Sequence, residues 1–172
     1  MDLYLFHFLY SFAHQSWLLD QIVIFFADYS GYALIGFFVW LLWKEKNNAK
    51  RIYGASLVAL AVILSRGIIT EIIRLIYEKP RPFVALENVT ALVNHSASNA
   101  FPSGHATLFF ALAFAVWYIN KKAGMWFLGI AIVMGVARVI AGAHWPLDIV
   151  GGVAVAAVSA FIIRKILPKQ TP

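Results

Sequence analysis

The sequence predicts an all-α fold, a polytopic transmembrane helix bundle with about five crossings and an N-terminal interfacial helix. Three observations predict it. Hydrophobic residues make up 62% of the 172-residue chain and charged residues only 13%, about half the charged share of a soluble domain. Apolar runs at 52–65, 107–119, 123–136 and 149–163 alternate with short polar stretches, as in helices that cross a bilayer and turn back. The basic residues are also segregated. Nine of the 14 (Lys44, Lys46, Lys50, Arg51, Lys121, Lys122, Arg164, Lys165 and Lys169) lie in three patches between or after hydrophobic runs, and the positive-inside rule assigns those patches to the cytoplasm. With no internal repeat, linker or low-complexity segment, residues 1–172 read as a single membrane-embedded domain.

Taken in order, residues 2–17 are aromatic-rich, with His7 and His14 among them. That composition suits a helix lying at the membrane interface better than one crossing it, with a frayed terminal helix as the alternative. The Met1-Asp2 start lacks a positive n-region and no small-residue cleavage site follows, so the first helices are expected to stay. Residues 18–43 supply the first crossing. Asp20, Asp28 and Ser30-Gly31 within it predict a kink or break near its middle; a split in two would leave halves too short to span. A second helix runs outward from about Ile52 to Tyr77, and a polar loop from Glu78 to Pro102 follows, without helical or strand periodicity. The third helix starts at Ser103 or Gly104 and returns to Asn120. The Lys121-Lys122-Ala123-Gly124 turn sends the fourth out to Ala141, and the fifth returns from Trp145 to Leu167. Trp17, Trp126 and Trp145 near helix ends read as interfacial anchors.

Cysteine is absent, which removes disulfides, thiolate metal sites and cysteine nucleophiles together. Chemistry then falls to His, Asp, Ser, Arg and Lys. Five bases lie outside the cytoplasmic patches, and four of them, Arg74, Lys79, Arg81 and Arg138, sit at or near the opposite helix ends. Three stretches converge there: Arg74 with Lys79-Pro80-Arg81-Pro82, then Pro102-Ser103-Gly104-His105, then Arg138 through His144 to Asp148.

A helix opening at Ser103-Gly104 presents unpaired N–H groups and a positive dipole end, which together make an anion site. Gly104 allows close approach of a phosphate oxygen, Ser103 can donate its hydroxyl, and His105 in the first turn can reach the same anion. A plain Ser N-cap explains the same residues. His144 precedes Asp148 by four residues, so the carboxylate can hold Nδ1–H and leave Nε2 as a nucleophile. A satisfied structural His–Asp pair is the alternative. Arg74, Arg81 and Arg138 are forked cations matched to the oxygens of a phosphoryl group. Arg66 lies deeper and is expected to pair with Glu71 or Asp28 rather than with substrate. His95 reads as a solvated loop histidine, and Glu78 with Lys79 as a solvated pair.

These residues resemble the type 2 phosphatidic acid phosphatase superfamily, whose pattern is K-x6-R-P, P-S-G-H and S-R-x5-H-x3-D. Here it reads Arg74-x6-Arg81-Pro82, Pro102-Ser103-Gly104-His105 and Ala137-Arg138-x5-His144-x3-Asp148. Arg74 replaces the family's Lys, keeping the cation but changing its reach, and Ala137 replaces its Ser, removing a hydroxyl donor. The resemblance implies that His144 attacks phosphorus, Asp148 orients it, and His105 protonates the leaving oxygen and then activates water. Arg74, Arg81, Ser103, Gly104 and Arg138 would bind phosphate, with no metal and no cofactor.

Within the superfamily, the short chain and the His-Ser-Ala-Ser-Asn-Ala-Phe approach to the second motif look most like bacterial undecaprenyl-pyrophosphate phosphatases. The expected partners are a phosphorylated lipid substrate and membrane lipids, with no nucleic acid. The expected location is the bacterial inner membrane, with the active site facing the periplasm or exterior. Phosphatidylglycerophosphate, phosphatidate and lipid A are alternative substrates. A lipid or anion transporter is the non-enzymatic alternative, against which count the charges gathered at one helix end and the missing inverted repeat. A vanadate-dependent haloperoxidase has a related anion site, but on chains that lack such apolar runs.

Overall fold

The computed structural model describes residues 2–94 and 99–168, and it is built from helices. His95, read above as a solvated loop histidine, and Lys169 of the third basic patch lie outside the described residues. Helix α1 spans Asp2–Tyr10. It is followed by α2, Trp17–Lys44, and α3, Asn48–Ile76. A short helix α4, Pro82–Ala85, precedes α5, Gly104–Ile119, α6, Lys121–Ile140, and α7, Pro146–Ile166. Helices α2, α3, α6 and α7 are long and apolar enough to cross a membrane, and α5 is a shorter apolar helix. Five apolar helices stand where five crossings were expected, four of them long enough to span, and a short helix precedes them at the N-terminus.

The core is organised around α5. Its Phe109, Phe110, Leu112 and Val116 are buried together with Leu34 of α2, Leu57 and Ala61 of α3, Phe127 and Met134 of α6, and Ala156 and Ala160 of α7. A helix enclosed on all sides by protein can be apolar all round and need not match the length of a lipid-exposed span. Small residues bring its neighbours close. A methyl group on Gly152 of α7 would stand 2.8 Å from Ala106 Cβ and 3.1 Å from the Ser103 carbonyl, as in the small-residue seams of membrane helix pairs.

The helix boundaries follow local chemistry. The side chain of Asn47 accepts from Lys50 N–H to open α3, that of Ser103 accepts from Ala106 N–H to open α5, and that of Asn120 accepts from Ala123 N–H to open α6. Pro82 and Pro146 sit in the first turns of α4 and α7, where a missing N–H costs nothing.

Four sequence expectations need correction. The predicted break in residues 18–43 is absent: α2 is continuous, and Phe25–Tyr29 is wound as a π-helix that absorbs the irregularity without interrupting the backbone ladder. A second π segment, Ile63–Ile69, lies inside α3. The loop after α3 contains α4, which the polar composition around it concealed. The N-terminal helix ends at Tyr10 rather than Trp17, and its last turn leads to His14 at φ 59°. Trp145, read as an interfacial anchor, is buried, with its indole N–H donating to the Pro80 carbonyl at 2.9 Å. Trp17 and Trp126 are exposed.

Candidate active site

The tip of α5 is fixed from both sides. Ser103 N–H donates to the Asp148 carbonyl at 3.0 Å, and Thr107 Oγ1–H donates to the Ser103 carbonyl at 2.9 Å. Gly104 leaves room for two side chains, since a methyl group there would stand 2.7 Å from Arg66 Nε and 3.3 Å from Arg74 Nη2. Two guanidinium groups therefore pass directly over the backbone of the helix N-terminus. Arg74 is held in that position by its own donation to the Pro102 carbonyl at 3.0 Å, and Asn99 Nδ2–H donates to the Arg74 carbonyl at 2.7 Å.

His144 enters from the turn between α6 and α7. Gly142 adopts φ 72° in that turn, a left-handed conformation that glycine takes without a Cβ penalty. Ala143 N–H donates back to the Arg138 carbonyl at 3.1 Å. His144 is 1% exposed and Asp148 is fully buried, with Nδ1 of the ring 3.4 Å from Asp148 Oδ2. Arg81 Nη1 lies 3.2 Å from His144 Nε2 and donates to the Ala143 carbonyl at 3.2 Å. A guanidinium has only donors, so Nε2 is the ring's lone-pair nitrogen and the proton belongs on Nδ1, facing the carboxylate. The nitrogen that bears the lone pair is also the one on the Arg81 side. Burial lowers the Arg81 pKa below its ordinary value and neighbouring Arg74 adds to this, while Asp148 opposes it. Arginine starts so high that the group stays a cation.

Asp148 is itself anchored twice. Oδ2 accepts from Trp145 N–H at 2.8 Å, which caps α7, and Oδ1 accepts from Lys79 Nζ at 2.8 Å. Lys79 also reaches Asp2 Oδ2 at 3.3 Å, and Asp2 Oδ1 accepts from Leu147 N–H at 2.9 Å. Lys79 was expected in a solvated pair with Glu78. Its side chain is instead 18% exposed and clamped between two carboxylates. Arg138, 1% exposed, donates to Asp28 Oδ1 and to the Ala27 carbonyl, both at 2.9 Å. Arg66 pairs with Glu71, as expected, and Glu71 is also 3.6 Å from Arg74.

A cavity of about 460 Å³ joins these groups, lined by Arg74, Arg81, Gly104, His105, Arg138 and His144 among others. Of the residues singled out from sequence, those six share the cavity, and Asp148 stands behind His144. Ser103 is buried and is not among the lining residues, its hydroxyl capping α5. The cavity is also lined by Asp28, Tyr32 and Arg66, which sequence reasoning left out of the site. A charged residue within an apolar helix was the signal for two of them. Asp2 gave no comparable signal, and Lys79, though one of the four bases at the outer helix ends, was read as solvated. The arrangement can hold a polyanion against several cations while presenting an imidazole lone pair to it.

Comparison with known proteins places this geometry. The PAP2 superfamily model matches residues 55–172, more than half of the chain and every residue of the three motifs. The chain belongs to the PAP2 superfamily. Among PAP2 relatives it is 34% identical over 154 residues to the bacitracin transport permease protein BcrC of Bacillus licheniformis, covering 88% of this chain and 73% of that one. It is 31% identical over 164 residues to the undecaprenyl-diphosphatase BcrC of Bacillus subtilis (strain 168), covering 94% and 82%. The crystal structure of Aquifex aeolicus LpxE superposes with a TM-score of 0.77 at 27% identity, covering 95% of this chain and 94% of that one. The apolar helices and this membership make the chain a multi-pass membrane protein of the lipid phosphatase type.

Proposed function

We propose that this PAP2 protein hydrolyses a polyprenyl diphosphate, undecaprenyl pyrophosphate in the first instance, through a phosphohistidine at His144. The observation that carries the proposal is the His144 ring. Its Nε2 lies against Arg81, its Nδ1 faces the buried Asp148, and the ring lines a cavity shared with Arg81, the α5 tip and Arg138.

The terminal phosphoryl group sits against Arg81, Arg138 and the α5 tip, where cations meet the charge spread over its oxygens. Arg81 shifts its N–H from His144 Nε2 to a phosphoryl oxygen, and the freed Nε2 lone pair attacks phosphorus. An N–P bond forms and the bond from phosphorus to the bridging oxygen breaks. That oxygen leaves with the electron pair, remains on the lipid phosphate and takes a proton from His105. Asp148 stabilises the positive charge that develops on the imidazole. His105, now neutral, removes a proton from water, whose oxygen attacks phosphorus. The N–P bond returns its electrons to Nε2 and inorganic phosphate departs. Charge is handled by guanidinium groups, so no metal has a role in these steps.

Substrate identity is supported by the likeness to a protein named undecaprenyl-diphosphatase over 94% of this chain. Orientation is supported by charge. Lys44, Lys50, Arg51, Lys121, Lys122, Arg164 and Lys165 gather at the helix ends opposite the cavity, and basic ends stay in the cytoplasm. The cavity then opens at the outer face of the bacterial inner membrane.

The test is phosphate release from undecaprenyl diphosphate by detergent-solubilised protein, with and without chelator. Activity should be insensitive to chelator and fall at least about 10³-fold in His144→Ala. A ³²P label carried on the terminal phosphate should appear in a base-stable, acid-labile linkage on rapidly quenched wild-type protein and be absent from His144→Ala. Turnover that survives His144→Ala would falsify the phosphohistidine route. Faster turnover of phosphatidylglycerophosphate, phosphatidate or lipid A would move the substrate and leave the route standing.

A further inference from the structure

Arg66 is a cavity cation that belongs to none of the three motifs and has no task in the steps above. An arginine in an apolar span is retained against a desolvation cost, and its Glu71 partner answers only part of its charge, being half-exposed and shared with Arg74. The helix is also rewound to deliver it. Ile63–Ile69 is π-helical, and such insertions re-aim side chains, frequently at functional sites. The other π segment, Phe25–Tyr29, carries Asp28. Among the described residues these are the two π segments, and each sends a charged side chain to the same cavity.

The position of Arg66 is specific. Its Nε and Cζ would lie 2.7 and 3.3 Å from a methyl group on Gly104, and Arg74 Nη2 would lie 3.3 Å from the same point. Arg66 and Arg74 thus form a paired cationic edge at the α5 tip, next to His105 in sequence. Arg81, by contrast, stands at His144. The cavity accordingly offers cations at two places, one at the nucleophile and one on the side of the proton donor to the leaving group.

Four guanidinium groups line the cavity, with Asp28 among the lining residues and Glu71 behind Arg66 and Arg74 offsetting part of their charge. A second phosphate is called for by the division of these cations between two places, not by their sum. Tyr32, Ile35 and Leu108 line the same cavity and give an apolar chain a way out beside the second phosphate.

We infer that Arg66 binds the lipid-proximal phosphate of a diphosphate head and so makes the site prefer diphosphates over monophosphates. This rests on the phosphatase function proposed above. In the transition state Arg66 meets the charge that builds on the leaving phosphate as the bridging bond breaks, so it acts on turnover as well as on binding.

The experiment compares farnesyl diphosphate with farnesyl monophosphate, using the full chain in detergent. The wild type should favour the diphosphate by at least about tenfold in kcat/KM. Arg66→Met should lower the diphosphate value on the order of 10- to 100-fold, with the monophosphate value within about threefold, as expected for one charge-assisted contact. Arg66→Lys should recover part of the preference, and Arg66→Met/Glu71→Gln should keep it lost without leaving a carboxylate unpaired. Inhibition gives a second measure: inorganic pyrophosphate should outcompete orthophosphate on the wild type, and the ratio should collapse in Arg66→Met. Equal losses on both substrates, no loss on either, or a wild type indifferent to the second phosphate would each overturn the assignment. His144→Ala tests the underlying chemistry separately, since turnover persisting there removes the nucleophile whatever the Arg66 ratio shows.

Discussion

Replacing Lys79 by methionine is the sharpest perturbation of the nucleophile that leaves the nucleophile in place. Methionine keeps most of the apolar stem and deletes the ammonium. In the wild type that ammonium stands 2.8 Å from Oδ1 of a fully buried carboxylate, while Oδ2 is held by Trp145 N–H. With Lys79 gone, one oxygen is tethered and the other is not, and the carboxylate is free to turn about its own bond away from His144 Nδ1. A hydrogen bond to a charged group contributes about 1.5–3 kcal/mol. A catalytic group misplaced by about 1 Å costs up to roughly 10² in rate. Both estimates point to the same range, a fall in kcat of about 10- to 100-fold.

The assay is steady-state phosphate release with kcat and KM resolved, alongside thermal unfolding in the same detergent. Lys79 is not among the residues lining the cavity, so KM should stay within about threefold. Lys79→Arg, which can still donate to Asp148, should regain most of the rate. Asp2→Asn should cost less, about two- to fivefold, because the Lys79–Asp2 contact is longer, at 3.3 Å, and more exposed. A Lys79→Met enzyme with wild-type kcat would refute the idea that this ion pair positions Asp148. So would a loss that appears only in KM.

Three further substitutions probe other parts of the site. Gly104→Ala places a methyl group where the Arg66 and Arg74 guanidinium groups now lie; kcat/KM should fall about tenfold with little change in melting temperature, because flexible side chains yield more readily than backbone. Asp28→Asn removes the charge partner of Arg138, and both stability in detergent and kcat should decline, by about 2–4 kcal/mol and at least tenfold, because a nearly fully buried cation is left uncompensated. Gly152→Ala meets backbone and Cβ atoms of α5 rather than a flexible tip, so it should destabilise by about 1–3 kcal/mol, seen as a lower unfolding temperature at unchanged KM.

Most helix ends and half of the cavity wall were legible in the sequence because the same residues do two jobs. Pro102-Ser103-Gly104 starts a helix wherever it occurs before an apolar run, and a helix start is an anion site. Likewise, a His four residues before an Asp at a helix opening brings the two side chains to one face. What escaped depends on distance along the chain. Arg138 and Asp28 are 110 residues apart, and Lys79 and Asp2 are 77 apart; local spacing does not pair them. Lys79 was misread as solvated because its loop is polar, yet Ala100 N–H donates to its carbonyl and Trp145 reaches over to Pro80, folding the segment onto α7. The π segments left no compositional mark, since Phe25–Tyr29 and Ile63–Ile69 resemble the α-helical sequence around them.

The cations of this site are each tied at one edge and presented at another. Arg138 is held by Asp28 and the Ala27 carbonyl, Arg74 by the Pro102 carbonyl and Glu71, Arg66 by Glu71, and Arg81 by the Ala143 carbonyl. This answers two demands together. Burying a guanidinium at a membrane helix end is costly unless an acceptor accompanies it, and a catalytic dipole is useful only if it need not reorganise when charge develops. A carboxylate or carbonyl behind each cation meets both, because it offsets desolvation in the empty site and fixes the direction in which the remaining N–H groups point. The acids behind these cations are therefore as much part of anion recognition as the arginines. Removing Asp28 or Glu71 should weaken phosphate binding even though each removal makes the cavity more positive, an outcome opposite in sign to simple charge counting.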